Sequence, residues 1–324
     1  MGLALADEKT EVLVISSRRT RETAKVLVGT HEVHSKRYIR YLGVVLDDRL
    51  KFGEHLRTAG IKAASVQASL SRLMPNIGGP QSSRRRLLAS VVTSVILYGA
   101  PVWSQAFITP SYNRPVKSAY RRAGLRAASA YRTVSYDAIC VVASMVPLEL
   151  LVEEQKELYE RRAEGVIWPE DLKMVLKDWS LDQWQRRWDE SLRGRWTHRL
   201  IPRVREWIGR THGEVGFYLS QMLTGHGCTR AYLHRFHLDT SDECPTCEGV
   251  MEDVEHVFFR CPRFAEQRRE VEHATGGEVT PELLVAQMIG STECWNIVRD
   301  WAANVFQQLR LADRQRRAAA LPDG

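Results

Sequence analysis

Two short apolar runs near the N-terminus give way to a long helical pattern. Residues 11–15, Glu-Val-Leu-Val-Ile, have the length and content of a buried strand. Residues 38–46, Tyr-Ile-Arg-Tyr-Leu-Gly-Val-Val-Leu, predict a second strand, with Gly43 as a bulge or close backbone approach and Asp47-Asp48 as the following turn. After residue 53 the apolar positions fall at 56, 59, 63, 66, 70 and 73, which predicts a helix from His55 to Met74. Pro75 and Gly78-Gly79-Pro80 break the chain. Ser82-Ser83 can cap a second helix, Arg84 to Trp103. A loop from Thr109-Pro110 to Pro115 leads to a third, Val116 to Tyr131. Pro147 opens a fourth, with Leu148, Leu151, Val152, Leu158 and Tyr159 as its apolar stripe. There is no internal repeat and no low-complexity tract.

Residues 168–207 carry six of the nine tryptophans: Trp168, Trp179, Trp184, Trp188, Trp196 and Trp207. Trp184 and Trp188 stand one helical turn apart, and Arg186, Arg187, Arg193, Arg195 and Arg199 are interleaved. Such rings can stack on unpaired bases. Tryptophan's large area more often goes to burial, so core packing is the expectation here.

The 324 residues, 44% apolar and 26% charged, are those of an ordinary globular chain and exclude wholesale disorder. Their length allows two or three domains. Six cysteines in so long a chain do not make a disulfide scaffold. The start shows no secretory leader, and the most apolar stretch, Leu87 to Val102, is shorter than a membrane span. The chain reads as soluble and intracellular, with no membrane partner. The formal net charge of +7 is unevenly placed: residues 53–130 hold 11 Lys and Arg but one acid, Glu54. A solvated helix face usually mixes signs, so this bias points to a polyanion. The alternative is a basic surface balanced by the more acidic C-terminal half.

Cys244-Pro-Thr-Cys247, His256 and Cys261 form a Cys-x2-Cys-x8-His-x4-Cys pattern. Three thiolates and one imidazole make a closed tetrahedral set for structural zinc, with no position left for a reactive water. Four unrelated side chains are the competing reading. Cys140 and Cys294 read as plain buried thiols. His226, Cys228, His234 and His237 lie upstream at poor spacing and read as packing or polar residues, with Cys228 or His237 as substitute ligands.

Catalytic motifs are missing. There is no phosphate loop, nucleophile elbow or His-Glu-x2-His zinc helix. Asp47-Asp48, followed by Arg49, reads as a turn initiator rather than a metal-binding pair.

Several segments in order resemble the non-LTR retrotransposon reverse transcriptases, most closely the Pol proteins of insect type-1 and jockey-like elements. Gly2 to Glu11 resembles their lysine-bearing palm motif, and Arg40-Tyr-Leu-Gly-Val-Val-Leu-Asp47 the primer-gripping hairpin that follows. Arg84-Arg-Arg-Leu-Leu with Leu97-Tyr-Gly-Ala-Pro-Val-Trp103 is similar to the helical thumb. Arg195 to Pro202, Leu223 to Cys228 and the cysteine–histidine cluster resemble the C-terminal tail. The resemblance implies a mainly α fold with a small α+β remnant. Residues 1–52 would be the end of the palm, 53–165 a helical thumb, 166–240 a tryptophan-rich helical region, 241–265 a CCHC zinc knuckle and 266–324 C-terminal helices.

The resemblance also implies roles. Lys9 matches a palm lysine that acts as general acid toward leaving pyrophosphate. Tyr41, Leu42 and Gly43 match the primer grip. Arg84, Arg85, Arg86, Lys117, Arg121 and Arg122 would track template–primer phosphates, the last three on one helical face. RNA and DNA would be the partners, element RNA and the target primer, and the zinc knuckle would help the basic thumb hold them or else only order the tail. The family's catalytic aspartates precede the lysine motif, one of them in a Phe/Tyr-x-Asp-Asp turn that residues 1–324 do not contain. Magnesium would serve only the complete polymerase, zinc would be structural, and this chain alone is expected to be inactive. A zinc-binding protein-interaction module and a non-functional transposon remnant remain the alternatives.

Overall fold

The computed structural model describes residues 9–20, 23–165 and 169–319. The described chain is mainly helical, with small sheets confined to its N-terminal end. Strand β1 (Val12–Leu13) pairs in parallel with β3 (His31–Lys36), and β3 pairs antiparallel with β2 (Lys25–Val28). Strands β4 (Tyr38–Tyr41) and β5 (Val44–Asp47) form a separate hairpin with Tyr41 opposite Val44. The single strand expected over 38–46 is therefore two strands. Leu42 and Gly43 both have positive φ, 44° and 86°, and so make a tight two-residue turn matched to the strand twist. The carboxylate of Asp47 accepts the backbone N–H groups of Arg49, Lys51 and Phe52 at 2.6–3.0 Å, which makes it a turn organiser.

Three helices pack beneath this hairpin: α1 (Gly53–Ser71), α2 (Ser82–Leu97) and α4 (Pro110–Ala127). Their buried faces are built from small and branched residues. Leu56, Ala59 and Ala63 on α1 are buried, as are Ala89, Val92 and Ile96 on α2 and Val116, Ala119 and Ala123 on α4. Each buried leucine, isoleucine or valine contributes about 1.5–3 kcal/mol. The expected helix over 84–103 breaks at Tyr98-Gly99, where Gly99 takes φ 65°, and resumes as α3 (Ala100–Trp103). Helix α4 starts earlier than expected, with Pro110 in its first turn and Pro115 inside it. Pro115 sits where α1 and α4 approach closely: a Cβ on Gly60 would lie 2.5 Å from the Pro115 Cβ. Hydrogen at position 60 is what the close approach requires.

Helix α5 (Tyr136–Val142) is capped by Ser135, whose hydroxyl accepts the Ala138 N–H. Helix α6 (Leu148–Glu164) packs against α7 (Pro169–Glu190), whose buried positions Leu172, Leu176, Ser180, Trp184 and Trp188 recur every four residues. Short helices α8 (Arg195–Leu200), α9 (Val204–Gly209), α10 (Phe217–Thr224) and α11 (Arg230–Arg235) follow. The chain ends in α12 (Ala265–Thr275), α13 (Pro281–Gly290) and the long α14 (Thr292–Ala319). Helix α14 buries Trp295, Val298, Trp301, Val305, Phe306 and Leu309 against α10, α12 and α13. Trp184, Trp188 and Trp207 are fully buried and Trp196 packs against the core, so these rings are structural. Trp179 is 37% exposed and Trp168 lies outside the described residues. Among the described residues no single helix is long and apolar enough to cross a membrane, although the bent pair Ser82–Leu97 and Ala100–Ile108 reaches that length and composition together.

Candidate metal centre and basic face

Cys244 and Cys247 lie in a knuckle closed by backbone bonds. The Cys244 N–H donates to the Val250 carbonyl at 2.7 Å, the Val250 N–H donates to the Cys247 carbonyl at 3.3 Å, and Gly249 supplies φ 68°. Glu243 and Met251 bridge at its base. His256 opens a π-helical turn, His256–Arg260, and its backbone N–H donates to the Asp253 carboxylate at 2.7 Å. The Cys261 N–H donates to the His256 carbonyl at 2.7 Å, so this turn fixes the separation of the two later donors. Phe258, between them, is fully buried and meets Trp301 edge-to-face at 5.0 Å and Phe306 at 5.3 Å. The turn is thereby anchored on α14.

The Sγ atoms of Cys244, Cys247 and Cys261 and a ring nitrogen of His256 all lie within 4.8 Å of one another. Cys244 Sγ and Cys261 Sγ are 3.8 Å apart. A tetrahedron with Zn–S bonds of about 2.3 Å has an S···S edge of about 3.8 Å. His256 Nε2 is buried without a hydrogen-bond partner, the condition of a nitrogen awaiting a ligand. Burial pushes the Cys261 thiol up to about 12 and lowers His256, so without a cation both of these groups are held in their neutral forms. The four residues fit a metal ion and are compatible with structural zinc. Binding would displace the thiol protons and staple the knuckle to the turn. No further group of three or more such donors stands together among the described residues. Cys140 and Cys228 are buried thiols, with Cys140 raised far above its ordinary value by burial. Cys294 is half-buried.

The cationic side chains expected on one phosphate-tracking face divide into two groups. Arg84 and Arg122 are exposed with no acidic partner among the described residues, whereas Arg86 is half-buried and its charge helps hold the Glu214 carboxyl below the usual value. Arg85 is instead 3% exposed. Its guanidinium donates to the carbonyls of Pro80 and Pro75 at 2.6 Å, Arg126 at 3.2 Å and Met74 at 3.4 Å. It holds the α1–α2 connection against the end of α4. Burial, then Arg126, lowers its pKa. Lys117 is paired with Glu149 at 2.5 Å and sits 5.2 Å over the Tyr136 ring. Burial pushes the Glu149 carboxyl up, but Arg187 and Lys117 together hold it below the usual carboxylate value. Arg121 donates to the carbonyls of Arg132, at 2.7 Å, and Val134. The helical spacing of 117 and 121 does put both on one face, but that face is turned to the 131–149 segment. Arg122 points elsewhere.

At the hairpin tip Tyr41 is 60% and Leu42 76% exposed. The Tyr98 hydroxyl donates to the Leu42 carbonyl at 2.8 Å. Arg40 and Lys62, both exposed and without an ion-pair partner among the described residues, line a cavity of about 440 Å³ with Gly43, His55 and Tyr98. Sequence reasoning placed Arg40 in the hairpin motif without giving it a role and did not single out Lys62, to which only the scarcity of acids over 53–130 pointed. Lys9 is exposed just ahead of β1.

The chain is similar to a 115 kDa protein in the type-1 retrotransposable element R1DM of Drosophila melanogaster, with 29% identity over 287 residues, 83% of this chain and 28% of that protein. It is 28% identical over 285 residues to a retrovirus-related Pol polyprotein from the type-1 retrotransposable element R1 2 of Nasonia vitripennis, covering 82% of this chain and 69% of that one. A Pol polyprotein from the R1 element of Bradysia coprophila is 30% identical over 266 residues, 75% of this chain and 25% of that one. The chain thus spans about a quarter of the length of two of these relatives and about two thirds of the other. No protein-family model and no solved structure matches it.

Proposed function

Because the chain is a relative of the Pol polyproteins of R1 type-1 non-LTR retrotransposable elements, we propose that it binds the RNA and DNA of a retrotransposition intermediate as the palm-end, thumb and tail portion of such a reverse transcriptase. Residues 1–52 act as the palm end, 53–165 as the thumb, and 241–265 as a zinc knuckle that orders the tail and its C-terminal helices. The observation that carries this reading is a group of exposed cations with no ion-pair partner among the described residues, which includes Arg40, Lys62, Arg84 and Arg122. Fixed cations without internal counter-ions hold phosphates at little reorganisation cost, and they do so without reading sequence. Tyr41 and Leu42, at the exposed hairpin tip, position a primer end. Lys9 is the candidate general acid of the complete polymerase. Its chemistry needs Mg ions held by aspartates of a Phe/Tyr-x-Asp-Asp turn, which is absent from residues 1–324. The activity assigned to these residues is therefore binding, in an intracellular ribonucleoprotein.

A fluorescent RNA–DNA primer–template, titrated with the zinc-supplied chain across a salt series, tests this. Binding should weaken steeply with salt. The Arg84→Ala/Arg86→Ala/Arg122→Ala variant should lose about 2–3 from the slope of log affinity against log salt, at roughly 0.9 per phosphate contact. Absence of binding at low salt by the folded protein sinks the proposal. The protein-interaction alternative would then rest on the apolar row of α2 and its continuation, where Leu87, Val91, Val102 and Ile108 are all exposed.

A further inference from the structure

Of the donors left over from the metal reading, Cys228 lies in the wall of an aromatic cleft and His226 packs against two of its rings. Thr229 caps α11, its hydroxyl accepting the Tyr232 N–H at 3.4 Å. Tyr232 and Phe236 are one helical turn apart and so share a face, with ring centroids 5.0 Å apart. Tyr232 also meets Tyr131 at 5.6 Å and His226 at 5.3 Å. Tyr131 stacks on His226 at 6.2 Å with 19° between the rings, and meets Phe217 at 5.9 Å. The row of half-buried rings, Phe217, Tyr131 and Tyr232, thus leads out to Phe236, which is 40% exposed. Its rings are held in place from both ends. The Tyr232 and Thr133 hydroxyls are 3.0 Å apart, and Tyr131 follows the sharp turn at Ser129, φ 54°.

Along this row opens a cleft of about 630 Å³, within the range of about 300–1,000 Å³ for ligand sites. Its rim is cationic. Arg132 and Arg314 are exposed with no acidic partner among the described residues, and Arg310 donates to the Tyr218 hydroxyl at 3.3 Å. Arg235 lies 5.9 Å over the Phe236 ring. Asp313 also lines the cleft, but Arg317 at 3.0 Å and Arg316 at 3.8 Å already neutralise it. Burial lowers the His226 pKa and raises the Cys228 thiol to about 11, so the wall thiol and the imidazole behind the rings are neutral at pH 7. Recessed ring faces beside unpaired guanidiniums suit a ligand with flat faces and an anionic backbone. A duplex hides its base faces, whereas a single strand can turn them outward.

We propose that this cleft binds unpaired nucleobases of single-stranded RNA or DNA, stacked on Tyr232 and Phe236, with the adjoining phosphates on Arg132 and Arg314. The site is separate from the cationic face on α2 and α4 and stands without it.

The test uses the full zinc-supplied chain and single-stranded oligonucleotides of about a dozen nucleotides, one of RNA and one of DNA, each carrying a 2-aminopurine. An RNA–DNA duplex serves as the third ligand. Phe236→Ala should weaken single-strand binding about 5- to 100-fold, the loss of one stacked base, and should restore the 2-aminopurine fluorescence quenched in the complex. Duplex binding should change less than about twofold. The Arg132→Ala/Arg314→Ala variant, confined to exposed side chains, should lower the salt slope on single strands by about 1–2. Tyr232→Phe keeps the ring and should bind as the parent does. Preference between the RNA and DNA arms identifies the strand. Unchanged single-strand affinity in both variants overturns the proposal, as does equal loss on the duplex. Unchanged duplex binding in the α2 and α4 arginine variant would count against the phosphate face and leave the cleft standing.

Discussion

The Tyr98 hydroxyl donates to the Leu42 carbonyl, tying the last residue of the α2 region to the tip of the β4–β5 hairpin. The same ring explains Gly43: a Cβ there would lie 2.7 Å from Tyr98 Cε1, and the backbone already stands at φ 86°. A side chain would meet both a clash and left-handed strain. Gly43→Ala should therefore destabilise the hairpin by about 1–3 kcal/mol. Tyr98→Phe, which only removes the hydroxyl, should cost about 0.5–1.5 kcal/mol. Amide exchange of the hairpin residues reads both. Protection unchanged in Gly43→Ala would mean that the turn adapts freely and that Tyr98 does not set the tip.

Three consecutive arginines should behave as two kinds of residue. Arg85→Ala strands four buried or half-buried carbonyls and should lower stability by about 2–4 kcal/mol in urea unfolding, with an unchanged salt slope for nucleic-acid binding among the molecules that remain folded. Arg84→Ala, on the exposed side, should change stability by less than about 0.5 kcal/mol and reduce the salt slope instead. The reverse pattern would reassign the two side chains.

That division was legible in part. Arg85, Ala89, Val92 and Ile96 follow one helical face, and all four are buried. The spacing alone could have marked Arg85 as inward, but a run of three arginines reads first as a charged patch. The helices over 53–71 and 148–164 and the cluster that could hold a metal were legible because their signals are local: apolar spacing, a proline at the N-terminus, a Cys-x2-Cys gap and a His-x4-Cys gap. The β2–β3 pairing was not, since its strands are half polar and mostly exposed. The Leu42-Gly43 turn lacked an asparagine or aspartate at its first position. Pro115 looked like a helix start, because only the Gly60 contact across the α1–α4 crossing reveals why the helix runs through it. The aromatic cleft joins residues 101 positions apart, Tyr131 and Tyr232, and no local pattern links them.

Acid should loosen the hairpin end of the molecule through His55. Its Nδ1 accepts the Val45 N–H at 3.2 Å, and burial, then Arg40, lowers its pKa. The unfolded chain, with histidine near its ordinary value of about 6.5, binds the proton more readily than the folded one. The contribution is full above pH 6.5, shrinks as pH falls below that value, and levels off once the folded group protonates too. Within that window the slope is at most about 1.4 kcal/mol per pH unit for this residue. His55→Asn should flatten the profile between about pH 5 and 6.5 while lowering stability at neutral pH. A profile as steep as the parent's would assign the acid sensitivity elsewhere, for instance to His226, whose pKa is also lowered by burial.

Removing the metal should unfold one region and spare another. The Cys244–Val250 and Cys261–His256 backbone bonds lie within the knuckle and the turn that the four donors would clamp together. Without a cation the cluster offers a weak thiol contact and an unpartnered buried imidazole nitrogen. A strong chelator should therefore raise amide exchange at Cys244, Val250 and Cys261, and loosen Phe258 from Trp301 and Phe306. The apparent metal contribution in small zinc modules is about 10–16 kcal/mol, so the change should be large and local. Amides of α1, α2 and α4, whose cores share no donor with the knuckle, should keep their protection. Cys261→Ser and His256→Ala should reproduce the chelator's effect without added chelator. One zinc per chain with unchanged exchange at these amides on chelation would show that the ion sits elsewhere, and the knuckle would then have to be stabilised by the packing of Phe258 alone.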